Sequence, residues 1–271
     1  MTSKQDIITL YKNRGETPLE CILRYKKDNP KYKNEKMTYA GRLDPLAEGL
    51  LLVLIGDECK NKEKYLGLEK TYEVDVLFGF STDTYDLLGK VTSKCHSRVG
   101  GNPELVQFNL DSRIRGNDTI KELLNSFIGR FSQKYPVYSS KYFNKARSGE
   151  LKDEEISSKN VEIKSIKLLS QKTISKKDLE KYIVDSINLV KGDFRQKEIL
   201  KIWKKELSKS NCANKITVVE LFAHGFKVVS IRVNCTSGTY MRSLANSIGE
   251  KVGIPALALN IKRIKVGKFK I

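Results

Sequence analysis

The chain has 271 residues, enough for one large domain or two small ones, and its 50 Lys+Arg against 32 Asp+Glu leave a formal charge of +18, which favours a polyanionic partner, nucleic acid or an acidic membrane surface. It holds no apolar run of membrane-spanning length and no signal-peptide stretch in residues 1–10, so a cytoplasmic protein that makes no membrane contact is expected. Five scattered cysteines without a C-x-x-C pair, only two histidines and no glycine-rich phosphate loop argue against a disulfide framework, a zinc site or a nucleotide cofactor, so the expected chemistry uses no cofactor and no metal.

Residues 7–10 read as a short strand. Thr17 and Pro18 then fit the N-cap and first position of a helix over residues 19–25, with Leu19, Ile22 and Leu23 expected on its inner face. A basic loop, residues 26–36, leads to Gly41-Arg42-Leu43-Asp44-Pro45-Leu46-Ala47-Glu48-Gly49. The apolar run 50–55, closed by Gly56, suits a strand buried on both faces, which places Asp44 on a loop beside the core. Residues 71–80 alternate as a strand, with 85–91 as the return of a hairpin, and 120–128 has the pattern of an amphipathic helix. Residues 161–169 form the next strand, 179–190 and 196–207 two helices, and 218–223 and 226–234 paired strands. A last helix over 241–252 ends at Gly253, followed by sheet-like 264–269.

Strands and helices mixed without regular βαβ alternation predict an α+β fold. Residues 95–118 interrupt the pattern: they lack periodicity and concentrate Gly100, Gly101, Asn102, Pro103, Gly116 and Asn117. They resemble the translated palindromic repeats that some bacterial reading frames carry, and the expectation is a disordered, exposed insertion without a catalytic part.

The chemistry gathers around Asp44. An Asp-Pro pair between glycines is by itself a common turn. The longer string GRLDPLAEGLLLVLIG, residues 41–56, resembles the signature of TruB-type pseudouridine synthases, Gly-x-Leu-Asp-Pro-x-Ala-x-Gly ahead of a buried strand. The resemblance implies that Asp44 is the catalytic carboxylate, as nucleophile or as base, and that Arg42 contacts substrate. Lys70-Thr71-Tyr72 resembles the motif whose tyrosine packs against the target base. Cys235-Thr236-Ser237-Gly238-Thr239-Tyr240-Met241-Arg242 resembles the family's Cys-Ser-x-Gly-Thr-Tyr-Ile-Arg, which makes Arg242 the partner of the aspartate and Tyr240 a substrate contact. That pairing also has a physical reason: a carboxylate in a partly dry pocket needs a cation to stay ionised, and guanidinium is a permanently charged one.

Weaker echoes add to the set. Residues 10–17 resemble Leu-x-Lys-Pro-x-Gly-x-Thr, which puts Lys12 near the active site; Ile261 aligns with a pocket-lining leucine. Tyr135-Pro136-Val137-Tyr138-Ser139-Ser140-Lys141 with Ala146-Arg147-Ser148-Gly149 resembles a further family segment with one of its two prolines missing. Tyr39 stands where many members have an RNA-contacting histidine, and its ring is expected to stack on a base.

Taken together, the resemblance implies a pseudouridine synthase fold, with a central mixed, largely antiparallel sheet flanked by helices and loops. In departure from the family pattern, the expectation is a single catalytic domain over residues 1–271 with a helical insertion at 177–207 that includes Asp193-Phe194-Arg195-Gln196, and without the C-terminal RNA-binding domain of the PUA type that many members carry. The implied activity is isomerisation of a uridine in the T loop of tRNA by a monomer, with Lys26-Lys27, residues 31–36 and Lys262-Arg263-Lys265-Lys268 as phosphate contacts. A catalytically idle RNA-binding or ribosome-assembly module would account for the charge but not for the ordered placement of Asp44, Tyr72 and Arg242. A membrane-surface protein would need a basic amphipathic helix with a clear apolar face.

Overall fold

The computed structural model describes residues 6–94, 117–139, 141, 142, 145, 150, 153–209 and 225–271. Most of the interruption expected at 95–118 and the strand expected at 218–223 lie outside these residues, as do residues 146–149.

The fold is built outward from one apolar strand. β3 (Ala47–Ile55) has Leu50, Leu51, Leu52, Val53 and Leu54 at 0 % exposure. Their alternation serves two cores: Leu51, Val53 and Ile55 face a cluster with Ile8, Cys21, Ile22 and Tyr32, whereas Leu50, Leu52 and Leu54 pack with Ala40 and Val266. Each fully buried side chain of this size contributes about 1.5–3 kcal/mol. The run therefore anchors the segment just before it, which carries Asp44.

Around β3, β1 (Ile7–Lys12) and β2 (Met37–Ala40) pair antiparallel and β10 (Ala256–Val266) pairs parallel. β4 (Lys70–Phe78), β9 (Phe226–Cys235), β8 (Ser158–Ile174) and β7 (Gly129–Lys134) continue from β10 in antiparallel steps, and β11 (Phe269–Lys270) pairs with β10. Among the described residues this is a nine-stranded, mostly antiparallel sheet, as the sequence predicts. β2 and β7 were not expected, because short or polar stretches such as Gly-Arg-Phe-Ser-Gln-Lys carry little pattern of their own. The hairpin also differs: β5 (Phe80–Thr82) pairs with β6 (Val91–Lys94), and residues 83–90 form the connection instead of the return strand.

Helix α1 (Pro18–Asp28) begins with the full capping box, in which Glu20 N donates to Thr17 Oγ1 and Thr17 N donates to Glu20 Oε2. Its inner face corrects the expectation. Pro18, Cys21 and Ile22 are buried, while Leu19 and Leu23 are 59 % and 55 % exposed. Two apolar stripes compete on this helix, and the small Cys21, whose thiol reaches Tyr11 O, lets α1 approach β1 closely.

After the short α2 (Lys62–Leu66) come α3 (Asn117–Asn125), α4 (Lys176–Leu189), α5 (Gln196–Lys209) and α6 (Met241–Val252). α6 ends at Gly253, whose φ of 72° is the left-handed cap. Leu179, Ile183 and Ile187 of α4 and Ile199, Trp203 and Leu207 of α5 join one core with Val74, Val76 and Val228 of the sheet. No helix among the described residues is long and apolar enough to cross a membrane.

Candidate active site

The loop 41–46 joins β2 to β3 and presents Asp44. Its flanking glycines are needed where they stand: Gly41 has φ 89° and Gly49 φ 107°, and a β-carbon on Gly49 would lie 2.3 Å from Arg263 O of the parallel neighbour β10. Two buried cations clasp the loop on either side of the carboxylate. Arg263, 1 % exposed, donates from Nη2 to Gly41 O (3.0 Å), from Nη1 to Arg42 O (3.4 Å) and from Nε to Leu50 O (2.8 Å). Lys12, 0 % exposed, donates to Pro45 O and Asn13 O, each at 3.1 Å, and to Ala47 O. Burial pulls the Lys12 pKa down to about 8, against the opposing pull of Asp44.

Arg263 is therefore not the surface phosphate contact that the basic cluster suggested. On β10 residues 261 and 263 turn inward, and the register shift between Arg263 and Lys265 breaks the alternation and leaves Lys265 exposed, so the two cations have different environments although they are near neighbours in sequence.

Asp44 is held by an arginine from the far end of the chain. Arg242, the second residue of α6, donates from Nε to Asp44 Oδ2 at 2.8 Å. The guanidinium is 3 % exposed and the carboxylate 34 %, so the pair has a buried base and an open front. Arg242 Nη1 donates to Thr84 O (2.8 Å) and Nη2 to Tyr138 O (3.5 Å), which spends the fork on fixed acceptors. Among the described residues Asp44 Oδ1 accepts no hydrogen bond.

A second carboxylate stands behind the pair. Asp86, 7 % exposed, has Oδ2 3.8 Å from Arg242 Nε, and its Oδ1 accepts from Thr84 Oγ1 (2.6 Å) and Leu88 N (2.9 Å). Burial pushes the Asp86 pKa up, with Arg242 pulling the other way; burial likewise lowers that of Arg242, but Asp44 and Asp86 outweigh it and the net direction is upward. Asp86 was missed in sequence. The available signal was an acid directly before Leu87-Leu88, inside the polar stretch Thr82-Asp83-Thr84-Tyr85-Asp86.

Asp44 and Arg42 line two cavities. The smaller, about 200 Å³, is walled by Tyr72, Tyr240, Ile261, Met241 and Lys70. The larger, about 680 Å³, is walled by Arg242, Asp86, Tyr138, Tyr142, Phe194 and Arg195 among others. Tyr72 is 8 % exposed and burial pushes its phenol pKa up. Tyr240 precedes α6 and is fixed by a reciprocal pair with Gln133, whose Oε1 accepts from Tyr240 N (2.8 Å) and whose Nε2 donates to Tyr240 O (3.1 Å). The structure thus brings Asp44, Arg42, Tyr72, Tyr240, Arg242 and Ile261 together, with Lys12 directly behind the loop. It does not bring in Tyr39, which lines neither cavity; its ring packs on the α1 cluster under Lys62.

Among the described residues no cluster of three or more His, Cys, Asp or Glu is placed to hold a metal ion. What the site offers is one half-open carboxylate, a buried cation that holds it, and aromatic walls of the size that bind a planar ring.

Residues 29–183 match the family model of the TruB family pseudouridylate synthase (N terminal domain). The chain is 30 % identical over 262 residues to tRNA pseudouridine synthase B of Aquifex aeolicus (strain VF5), covering 96 % of this chain and 68 % of that protein. It is 28 % identical over 271 residues to tRNA pseudouridine synthase B of Ligilactobacillus salivarius (strain UCC118), covering 98 % and 68 %. Among solved structures, a Cbf5-Nop10-Gar1 complex aligns with TM-score 0.52 at 19 % identity, covering 97 % of this chain and 49 % of that chain, a likeness of fold. The chain therefore spans about two thirds of the length of these curated relatives and about half of the Cbf5 chain.

Proposed function

Because the chain belongs to the TruB family of pseudouridylate synthases, we propose that it isomerises a uridine of tRNA, in the T loop, to pseudouridine, with Asp44 as the reacting carboxylate. The observation that carries this is the Asp44–Arg242 pair: one oxygen is tied to a buried guanidinium while the carboxylate itself stays one-third exposed at the junction of two cavities.

The reaction breaks C1′–N1 and joins C1′ to C5 of the same uracil; N1 gains a proton and C5 loses one, so no atoms or electrons are exchanged with a cofactor. Asp44 either attacks C1′ or removes the 2′ proton, and Oδ1 is the free oxygen for both routes. Arg242 fixes the carboxylate through Oδ2 and balances its charge. Tyr72, Tyr240 and Ile261 hold the detached base by faces and edges without hydrogen bonds that lock its orientation, which permits the turn from N1 to C5. The uridine has to leave its stack to reach this depth, a cost of a few kcal/mol that stacking and backbone contacts offset. Exposed Lys27, Lys31, Lys33, Lys36, Lys265 and Lys268 supply the phosphate contacts. Tyr39 with Lys62 meets the RNA outside the cavities, and the protein works in the cytoplasm as a monomer without metal or cofactor.

The test is tritium release from a tRNA transcript labelled at uridine C5, with wild type against Asp44→Asn and mapping of the modified position. Release by wild type alone, mapped to the T loop, is expected. Binding without release from wild type would leave an idle RNA-binding module; release mapped elsewhere would remove the T-loop target.

A further inference from the structure

The segment between α4 and α5 carries no role in the reaction as described above, yet Asp193, Phe194 and Arg195 form part of the wall of the larger cavity that Asp44 and Arg242 also line. We propose that Arg195 is a positioning residue for the uridine isomerisation: it clamps the two backbone segments whose carbonyls hold Arg242, and through them fixes Asp44.

Four sets of contacts carry the assignment. Arg195 Nη1 reaches Asp83 Oδ2 at 3.3 Å and donates to Tyr138 Oη at 3.0 Å, and its guanidinium lies 4.5 Å above the Tyr138 ring. Those are the two segments that anchor the catalytic pair, since Arg242 donates to Thr84 O, next to Asp83, and to Tyr138 O. One side chain therefore ties together the two strips of backbone between which Arg242 is suspended.

The backbone around Arg195 is also shaped for the task. Arg195 has φ 62°, a left-handed conformation that a side chain with a β-carbon rarely adopts, at the point where α5 starts, and Ile199 N donates to Arg195 O. Such an outlier persists only when its surroundings enforce it. They do: Gln196 donates from Nε2 to Val190 O and Gly192 O and accepts from Phe194 N, which locks the turn. Asp193-Phe194-Arg195-Gln196 is thus one device, with Gln196 closing the turn and Arg195 aimed across the cavity.

The helix behind it grips the same loop. Trp203 Nε1 donates to Leu87 O, Lys90 pairs with Glu198 at 2.8 Å, and Lys94 pairs with Glu206 at 2.9 Å. α5 is therefore fastened at Leu87 and Lys90 to the connection that carries Asp83, Thr84 and Asp86, and at Lys94 to β6 that follows it. This gives the two-helix unit a catalytic reason to exist: it holds the acceptors of Arg242 at fixed distance.

The inference rests on the isomerase reading above. The experiment uses the full chain and the C5-tritiated tRNA transcript, and measures single-turnover rate at saturating enzyme, tRNA affinity by filter binding, and thermal unfolding. Arg195→Ala and Asp83→Asn are each expected to slow the saturated rate by about tenfold or more, the scale of a lost alignment, with affinity within about twofold of wild type. The double variant is expected to be no slower than the worse single one, because both break one link. Arg195→Lys, which keeps the charge facing Asp83, is expected to recover part of the loss. An unchanged saturated rate in Arg195→Ala overturns the positioning role, as does a loss confined to affinity, which makes Arg195 an RNA contact. Should Arg195→Ala fail to fold, Asp83→Asn at full rate overturns it equally. No turnover by wild type instead overturns the isomerase reading, and this one with it.

Discussion

Arg242 and Asp44, 198 residues apart in sequence, meet through a 2.8 Å hydrogen bond in which the cation is sealed and the anion is open. The asymmetry separates two variants. Asp44→Asn keeps the shape, leaves Arg242 with an amide oxygen, and removes the charge that does chemistry. It should abolish tritium release while tRNA affinity stays within about twofold, since a carboxylate adds nothing to phosphate neutralisation. Measurable turnover by Asp44→Asn would move the reacting group elsewhere.

Arg242→Ala is expected to do more. It leaves Asp44 and Asp86 facing each other without their shared cation and frees the acceptors Thr84 O and Tyr138 O. Removing one member of a buried ion pair costs about 3–5 kcal/mol. The variant should lose both activity and a large part of its stability to urea, and a further Asp86→Asn should restore some stability without activity. A fully stable Arg242→Ala would show that the two carboxylates do not depend on it.

How much of this was readable in sequence follows from how local each cause is. Thr17 and Pro18 announced a helix start because an N-cap residue followed by proline is a signal contained in two adjacent positions, and residues 50–55 announced a buried strand because the run itself is the signal. Asp44, Tyr72 and Arg242 were legible as parts of long ordered strings. Asp86 and Arg263 were not: one is defined by a guanidinium from α6, the other by the carbonyls of Gly41, Arg42 and Leu50 more than 200 residues away. Leu19 and Leu23 misled for a related reason, since which of two apolar stripes is buried depends on β1 and not on the helix.

Arg263 and Lys265 should therefore respond oppositely when neutralised. Arg263→Gln removes the clasp on the Asp44 loop and should lower the unfolding midpoint and the rate, leaving the salt dependence of tRNA binding unchanged. Lys265→Gln should leave stability and saturated rate intact and reduce the slope of log affinity against log salt by roughly 0.7–0.9, the value of one lost phosphate contact. A reduced salt slope in Arg263→Gln would mean that it reaches the RNA after all.

Lys12 makes a prediction with a sign. Its pKa in the fold is about 8, below the ordinary lysine value of 10.5, because burial penalises the ammonium. Between these two values the unfolded chain binds more protons than the folded one, so stability rises with pH across that window; the penalty is fully present below about pH 8 and is relieved on the way to 10.5. The full span is about 3 kcal/mol at most. Lys70, also lowered to about 8 by burial and by Arg263, acts in the same direction; the buried thiols of Cys21 and Cys235, each raised to about 11, oppose it in part once the unfolded thiols ionise near pH 9, and buried Tyr72, whose pKa is raised, opposes it once the unfolded phenol begins to ionise near pH 10. Urea midpoints measured from pH 7.5 to 9.5 should therefore climb for wild type, and climb less for Lys12→Met, which keeps the bulk and drops the titrating group. Lys12→Met should also be less stable throughout, because Pro45 O and Ala47 O lose their donor. Equal slopes for the two proteins would show that Lys12 keeps its ordinary proton affinity beneath the Asp44 loop.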